Sequence, residues 1–198
     1  MKRLLFGLLC ILFSMPMMAN PQAGEEKAAV CAGCHGPKGI SINPEWPNLA
    51  GQHATYLAKQ LHDYKDASTR NAPLMTQMVM LLNPEDMLNI AEFYASLPAS
   101  TGTTPEKYLA RGETLYRRGD LTKHITACIA CHGPQGTGNA QAGFPSLAGQ
   151  QPAYTIQQLM AFKNKTRLND LNSIMRDISA RMNQEDMEAV AWYLTGLR

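Results

Sequence analysis

The sequence has no large excess of charge of either sign. Its 18 lysines and arginines and 16 aspartates and glutamates leave a formal net charge of +2, which gives no electrostatic support for binding to nucleic acid. A hydrophobic run long enough for a stable membrane span is also missing, since the apolar segment at residues 4–13 is short and is interrupted by Gly7. With 45% hydrophobic and 17% charged residues, the composition is that of a globular protein and excludes a disordered chain or a multi-span membrane protein.

The N-terminus has the organisation of a secretory signal peptide. Two basic residues precede the apolar run, and small and polar residues follow it through Ala19. We predict that residues 1–19 are a signal peptide and that the protein is exported to the periplasm; cleavage after Ala23 and an uncleaved N-terminal anchor are the alternatives. Cys10 lacks the small preceding residue of a lipoprotein signal and is expected to leave with the signal peptide.

The rest of the chain repeats itself. CAGCHGPKG at 31–39 recurs as CIACHGPQG at 128–136, WPNLAGQ at 46–52 recurs as FPSLAGQ at 144–150, and LNPEDM at 82–87 recurs as MNQEDM at 182–187. Because the order is kept with only small insertions, two copies of one domain explain the pattern. The stretch at 98–105, rich in Pro, Gly, Ser and Thr, marks a linker. We therefore predict domains at 20–102 and 103–198.

Each copy has the periodicity of helices and neither shows the alternation of a strand. Apolar and aromatic residues at spacings of three and four form a stripe over 56–64. The last helix of the first copy has a strong start, with Asn83 as the cap, Pro84 in the first turn and two acidic residues after it. The same start recurs at Asn183. The sequence therefore predicts an all-α fold of two tandem helical domains.

Both copies contain Cys-x-x-Cys-His, the attachment signature of c-type haem. Two cysteines three residues apart share a helix face and can bond two vinyl groups of one porphyrin, and the next residue can bind the iron. A thioredoxin-like pair would need a preceding strand, a single zinc site would have to join pairs that lie in separate repeats, and two disulfides would leave the domains without a core. We therefore predict two covalently bound haem c groups, held by Cys31, Cys34 and His35 in the first copy and by Cys128, Cys131 and His132 in the second.

Methionine is the expected sixth ligand of each iron, since it is a soft ligand that raises the reduction potential. Aligned on Glu-Asp-Met, the copies share methionine only at Met75 with Met175 and at Met87 with Met187. The second pair lies on the apolar face of a capped helix, where core packing explains it. The first pair lies in a less regular stretch before that helix, and we predict Met75 and Met175 as the axial ligands.

Three other histidines offer bis-histidine ligation as the alternative, which would lower the potential. None of His53, His62 and His124 has a histidine counterpart in the other copy, so a surface or locally bonded histidine is the better interpretation of each. A ligating histidine usually donates its second N–H to a carbonyl. Pro47 and Pro145, which follow the motif histidines by 12 and 13 residues, are candidates for that carbonyl.

These motifs are similar to those of the cytochrome c4 family, di-haem bacterial cytochromes built from two tandem class I cytochrome c domains. The resemblance covers residues 20–198 and rests on both attachment motifs, on WPNLAGQ and FPSLAGQ, on the two methionines and on the two Glu-Asp helices. It implies His/Met ligation in both domains, with Met75 and Met175 at the family's ligand positions. It also implies a periplasmic carrier, often loosely associated with the membrane, that feeds a terminal oxidase.

An iron with two strong protein ligands has no open position for a substrate, so we predict an electron carrier and not an enzyme. The expected partners are redox proteins: a quinol-oxidising complex or a dehydrogenase upstream, and a terminal oxidase downstream. One alternative is a haem subunit of a larger dehydrogenase, such as a sulfide-oxidising flavocytochrome. The other is a di-haem enzyme, such as a peroxidase or a thiosulfate-oxidising cytochrome.

The two copies differ in charge. Residues 20–102 have five basic and eight acidic side chains, a net −3, whereas residues 103–198 have eleven and eight, a net +3. Such a dipolar carrier would meet its partners in a preferred orientation, unless the difference has no consequence. Since positive surroundings favour the reduced iron, we expect the haem of the second half to have the higher reduction potential.

Overall fold

The computed structural model describes residues 19–197, so that the predicted signal peptide lies almost entirely outside the described residues. The first half contains five helices, and the second half contains five more and a short 3-10 helix. In the first half these are α1 (Pro21–Ala28), α2 (Ala32–His35), α3 (Ala54–Asp66), α4 (Pro73–Val79) and α5 (Pro84–Ser96). In the second they are α6 (Glu106–Arg117), α7 (Ile129–His132), α8 (Pro152–Lys163), the 3-10 helix (Leu171–Ser173), α9 (Ile174–Ala180) and α10 (Gln184–Gly196).

The predicted all-α class is confirmed. Across residues 19–197 there is no β-strand, and the extended backbone forms only isolated bridges. The same part of the chain contains no helix that is both long and apolar enough to cross a membrane. Residues 97–105 connect α5 to α6 without helical structure, and the domain boundary at residue 102 stays a prediction.

The first and last helices of each half cross at very close range. Helix α1 packs against α5, and α6 packs against α10. A glycine lies at each crossing: a Cβ on Gly24 would clash with the Asn89 carbonyl, and a Cβ on Gly112 would clash with the Ala189 carbonyl. Each crossing therefore depends on a glycine that lets two backbones touch.

The predicted starts of α5 and α10 are confirmed as capping boxes. The Asn83 side chain accepts from the Asp86 N–H at 2.8 Å, and the Asp86 carboxylate accepts from the Asn83 N–H at 3.2 Å. Asn183 and Asp186 make the same pair of bonds, at 2.9 and 3.2 Å. Two otherwise unpaired N–H groups are thus satisfied at the N-terminus of each helix, so that α5 and α10 each begin at a fixed residue.

Each half has its own hydrophobic core, and the first cysteine of each motif lies at its edge. Cys31 packs against the core formed by α1, α3 and α5. Cys128 packs against the core formed by α6 and α10. Met87 and Met187 are 1% and 0% exposed, so that both are core residues, as the sequence predicts.

Candidate functional site: two histidine sites joined across the domain interface

The Cys-x-x-Cys-His motifs each fold into a single helical turn. In the first, the N–H groups of Cys34 and His35 donate to the Cys31 carbonyl at 3.1 and 2.9 Å. In the second, Cys131 and His132 donate to the Cys128 carbonyl at 3.3 and 3.0 Å. Residues three apart on such a turn share a face, so the two cysteines of a motif lie on the same side and the histidine follows the second one directly. The four motif cysteines form no disulfide, and among residues 19–197 no three His, Cys, Asp or Glu side chains are grouped as a metal-ion site.

Both motif histidines are buried and held by a proline carbonyl. His35 Nδ1 lies 2.9 Å from the Pro47 oxygen, and His132 Nδ1 lies 2.9 Å from the Pro145 oxygen. A carbonyl only accepts, so Nδ1 carries the proton and Nε2 keeps its lone pair for a metal. The expected histidine–carbonyl bonds are thus present in both halves.

Burial also favours the protonation state that can bind iron. Desolvation lowers the pKa of His35 and of His132, and it outweighs the opposing effect of the hydrogen bonds to the proline carbonyls. Both side chains are 7% exposed. Because only the neutral imidazole has a lone pair to give, the two sites hold their histidines ready for ligation.

The methionines predicted as ligands lie on separate short helices. Met75 belongs to α4 and Met175 to α9, so the expectation of a less regular stretch is wrong. Pro73 starts the first of these helices, and the 3-10 turn at Leu171–Ser173 leads into the second. Both methionines are partly buried. Helix α4 contacts α3, and α9 contacts α8.

Each of these helices is fixed by the residue that follows its methionine, in a different way in each half. The Thr76 hydroxyl donates to the Tyr64 carbonyl at 3.0 Å. Arg176 forms an ion pair with the buried carboxylate of Asp170 at 2.7 Å, and its own N–H donates to the same side chain at 3.0 Å. The methionine positions are therefore held firmly, although by unrelated contacts.

The two halves bind each other through a symmetric pair of glutamines. Gln52 Nε2 donates to the Ser146 carbonyl at 2.9 Å, and its Oε1 accepts from the Ser146 N–H at 2.9 Å. Gln150 does the same at Asn48, with distances of 2.9 and 2.8 Å. These glutamines are the last residues of WPNLAGQ and FPSLAGQ, so the repeated motif is also the contact between the repeats.

Two buried arginines meet at the same interface. Arg70 donates to the Tyr154 hydroxyl at 2.9 Å and to Gln158 Oε1 at 3.3 Å, both in the other half. Arg167 makes the matching bonds to the Tyr56 hydroxyl at 2.9 Å and to Gln60 Oε1 at 3.2 Å. The arginines are only 4% and 7% exposed. Across residues 19–197, neither takes part in an ion pair.

Such a cluster is strongly positive. Burial raises the pKa of the Tyr56 hydroxyl, but Arg167 and Arg70 outweigh this effect and the pKa is lowered. Buried charges need a partner of opposite sign. A haem carries two carboxylate side chains, so the positive charge of Arg70 and Arg167 matches the negative charge of such a group. The motif turns match its vinyl groups and its iron.

Tandem helical domains, each with a Cys-x-x-Cys-His turn and a carbonyl-held histidine, define a c-type cytochrome with two haem sites. The cytochrome c family model matches residues 22–98 and 109–198. Cytochrome c4 of Thiocapsa roseopersicina is 43% identical over 92% of this chain and 95% of that protein. The crystal structure of reduced recombinant cytochrome c4 from Pseudomonas stutzeri superposes with a TM-score of 0.88 at 40% identity, covering 91% of this chain and 100% of that one.

The chain belongs to the cytochrome c4 family. It is a di-haem electron carrier, not an enzyme, and carries two covalently bound haem c groups. A further relative is the thiosulfate dehydrogenase electron acceptor of Stutzerimonas stutzeri, which is 35% identical over 98% of this chain and 94% of that protein.

No local sequence pattern assigns a role to the arginines or the glutamines of the interface. Both pairs recur between the copies, at offsets of 97 for Arg70 and Arg167 and 98 for Gln52 and Gln150. The repeat was therefore the signal that could have identified them. Their contacts could not be predicted, because each side chain binds the other half and not its own.

Proposed function

We propose that this protein is a periplasmic carrier that passes single electrons between respiratory partners, toward a terminal oxidase. Cys31, Cys34, Cys128 and Cys131 attach the two haems in this proposal. When bound, each haem supplies one reversible iron(III)/iron(II) couple. The observation that carries the proposal is the pair of buried histidines, each with Nδ1 bound to a proline carbonyl and Nε2 left for iron.

The axial ligands in this proposal are His35 with Met75 and His132 with Met175. The histidines are oriented by their carbonyls, and the methionines are the ones that the two halves share outside the cores. Two protein ligands leave no coordination position for a substrate, so the residues of each site hold the iron and exclude other ligands. This is the arrangement of a carrier whose potential is set by its ligands and by burial.

Carbon monoxide binding to the reduced protein tests this ligand set. We expect an unchanged visible spectrum for the natural sequence, because strong ligands occupy both positions. In Met75→Ala and in Met175→Ala, one haem should bind carbon monoxide and the other should not. Met78→Leu is the matched control, since Met78 lies on the same helix as Met75 and is 40% exposed. A carbon monoxide adduct in the natural protein would contradict the proposal.

The periplasmic location rests on the N-terminal segment at residues 1–19. If this segment is removed on export as predicted, the mature protein begins at Asn20. N-terminal sequencing of protein recovered from the periplasmic fraction tests this directly. A mature chain that still begins at Met1 and sediments with membranes would favour the uncleaved anchor.

A second candidate for the electron donor is a thiosulfate-oxidising dehydrogenase. The named role of the Stutzerimonas stutzeri relative as electron acceptor of thiosulfate dehydrogenase favours it. Stopped-flow reduction of the purified protein by a thiosulfate dehydrogenase and by a quinol-oxidising complex would separate the two donors. Co-purification of a flavoprotein in a fixed ratio would instead favour the role of a dehydrogenase subunit.

A further inference from the structure

The Pro47–Asn48 peptide group is hydrogen-bonded on both of its sides. Its carbonyl oxygen, on Pro47, accepts from His35 Nδ1 at 2.9 Å. Its N–H, on Asn48, donates to Gln150 Oε1 of the second half at 2.8 Å. One planar peptide group therefore connects the histidine of the first half to a side chain of the second.

The same connection runs in the opposite direction. The Pro145 carbonyl accepts from His132 Nδ1 at 2.9 Å, and the N–H of the same peptide group, on Ser146, donates to Gln52 Oε1 at 2.9 Å. Each histidine is thus linked through one peptide group to a glutamine of the other half.

The glutamine side chains are locked in the orientation that this connection needs. The oxygen of Gln52 also accepts from the His53 N–H at 3.0 Å, and the oxygen of Gln150 accepts from the Gln151 N–H at 2.9 Å. Each Nε2 donates to a carbonyl of the other half. Two N–H donors at one end and a carbonyl at the other leave only one assignment of the amide oxygen and nitrogen.

We infer that Gln150 and Gln52 are positioning residues that set the electron affinity of the haem in the opposite half. Gln150 acts on His35 through the Pro47–Asn48 peptide group, and Gln52 acts on His132 through the Pro145–Ser146 peptide group. The inference rests on the proposed ligation of iron by the two histidines. It adds that neither half sets its potential alone.

The direction of the effect follows from the polarisation of the peptide group. A hydrogen bond at the amide N–H increases the negative charge on the carbonyl oxygen of the same group, and chains of such bonds strengthen one another. A stronger acceptor at Nδ1 makes the histidine a more basic ligand, which favours iron(III) and lowers the reduction potential. Loss of a glutamine should therefore raise the potential of the haem in the other half.

The test is a redox titration of the holoprotein followed by NMR, in which the shifted haem methyl signals report each haem separately. In Gln150→Leu we expect the haem of the first half to rise in potential, and in Gln52→Leu the haem of the second half. We expect a change of about threefold in the reduction equilibrium constant, about 28 mV at ~59 mV per tenfold. We expect a modest change because the glutamine acts through a peptide group and not by direct contact with the histidine.

Gln151→Leu is the matched control, since Gln151 also crosses the interface. Its Nε2 donates to the Ser41 carbonyl at 2.8 Å, and not to either of the two peptide groups that bind the histidines. This variant should leave both potentials within the error of the titration. If it shifts the first haem as Gln150→Leu does, loosening of the interface explains the effect and the inference is wrong.

Gln150→Glu keeps an acceptor oxygen for the Asn48 N–H and serves if the leucine variant fails to fold. It should not raise the potential of the first haem, and a rise equal to that of Gln150→Leu would overturn the inference. So would a leucine variant that shifts only the haem of its own half. Two reversible one-electron steps in the natural protein test the proposed carrier function independently of these outcomes.

Discussion

The two halves are closely alike around the histidines and differ where their last helices begin. In the first half, Asp86 at the start of α5 is paired with Lys27 at 2.9 Å. In the second half, Asp186 at the start of α10 is paired with Lys123 at 2.7 Å and with Arg111 at 2.5 Å. The repeat has therefore kept the geometry that orients the histidine proposed to bind iron, and it has changed the ion pairs at the start of the last helix.

The degree of burial makes this difference an energetic one. The Asp186 side chain is 2% exposed, and Arg111 continues to Asp120 at 2.8 Å, so that a network forms. The Asp86 side chain is 11% exposed and its partner Lys27 is 55% exposed, compared with 37% for each of the two cations that pair with Asp186. More exposed pairs contribute less, because water and salt screen them. We infer that ion pairing stabilises the second half more than the first.

The largest expected effect is on stability. Asp186→Asn should lower the free energy of unfolding by about 2 kcal/mol, because it removes the buried carboxylate that pairs with Lys123 and one of the two carboxylates that pair with Arg111. Asp86→Asn should cost about 1 kcal/mol, since Lys27 can return to water. Both variants keep a side-chain oxygen for the capping box. Urea unfolding of the two holoproteins measures the difference, and equal losses would contradict the comparison.

The ion pairs of Asp186 should also make the free energy of unfolding depend on pH in the acid range. Burial raises the pKa of Asp186, but Lys123 and Arg111 outweigh it, and the pKa is lowered. Because the folded-state pKa lies below the usual value of 3.8, the stabilisation is complete above that pH and is lost as pH falls through the folded pKa. Asp186→Asn should remove this acid-dependent step.

The sequence predicted the parts of the protein that depend on local spacing. The motif turns, the caps at Asn83 and Asn183 and the core methionines all follow from residues close together in the chain. The segments around Met75 and Met175 are helical, although the sequence predicts a less regular stretch there. This prediction is wrong because a helix of seven residues carries too little periodicity to be identified from the sequence. Contacts between Arg70, Arg167 and the opposite half bring together residues that lie 84 to 111 positions apart, and no local pattern encodes them.

The interface arginines offer a test in the region where the halves are most alike. Arg70→Gln and Arg167→Gln each remove one buried positive charge, which favours iron(III) and should lower the potentials of both haems. We expect about a tenfold change in the reduction equilibrium constant, which is about 59 mV for one electron. Since Arg70 and Arg167 make matching bonds, the two variants should have similar effects.

Arg181→Gln is the control for this experiment, because it removes the same charge from an exposed position. Its effect should be small and should shrink further in salt. If the three variants shift the potentials equally, net charge alone matters and the buried cluster has no special role. The measurement is again a titration that follows each haem by its own NMR signals.

The smallest expected effect is the difference between the two haems of the unmodified protein. Their proposed ligands match, with a carbonyl-held histidine and a methionine in each half, so we expect the difference to come from charge farther away. The net −3 of residues 20–102 and +3 of residues 103–198 favour the reduced iron in the second half, and we expect its haem to have the higher potential.

Because exposed charges are screened over about 8 Å at physiological ionic strength, the difference between the two potentials should narrow as salt is added. A titration at low and at high salt measures both properties. A reversed order would contradict the electrostatic argument, whereas a gap that is independent of salt would assign the difference to buried contacts such as the Arg176–Asp170 ion pair beside Met175.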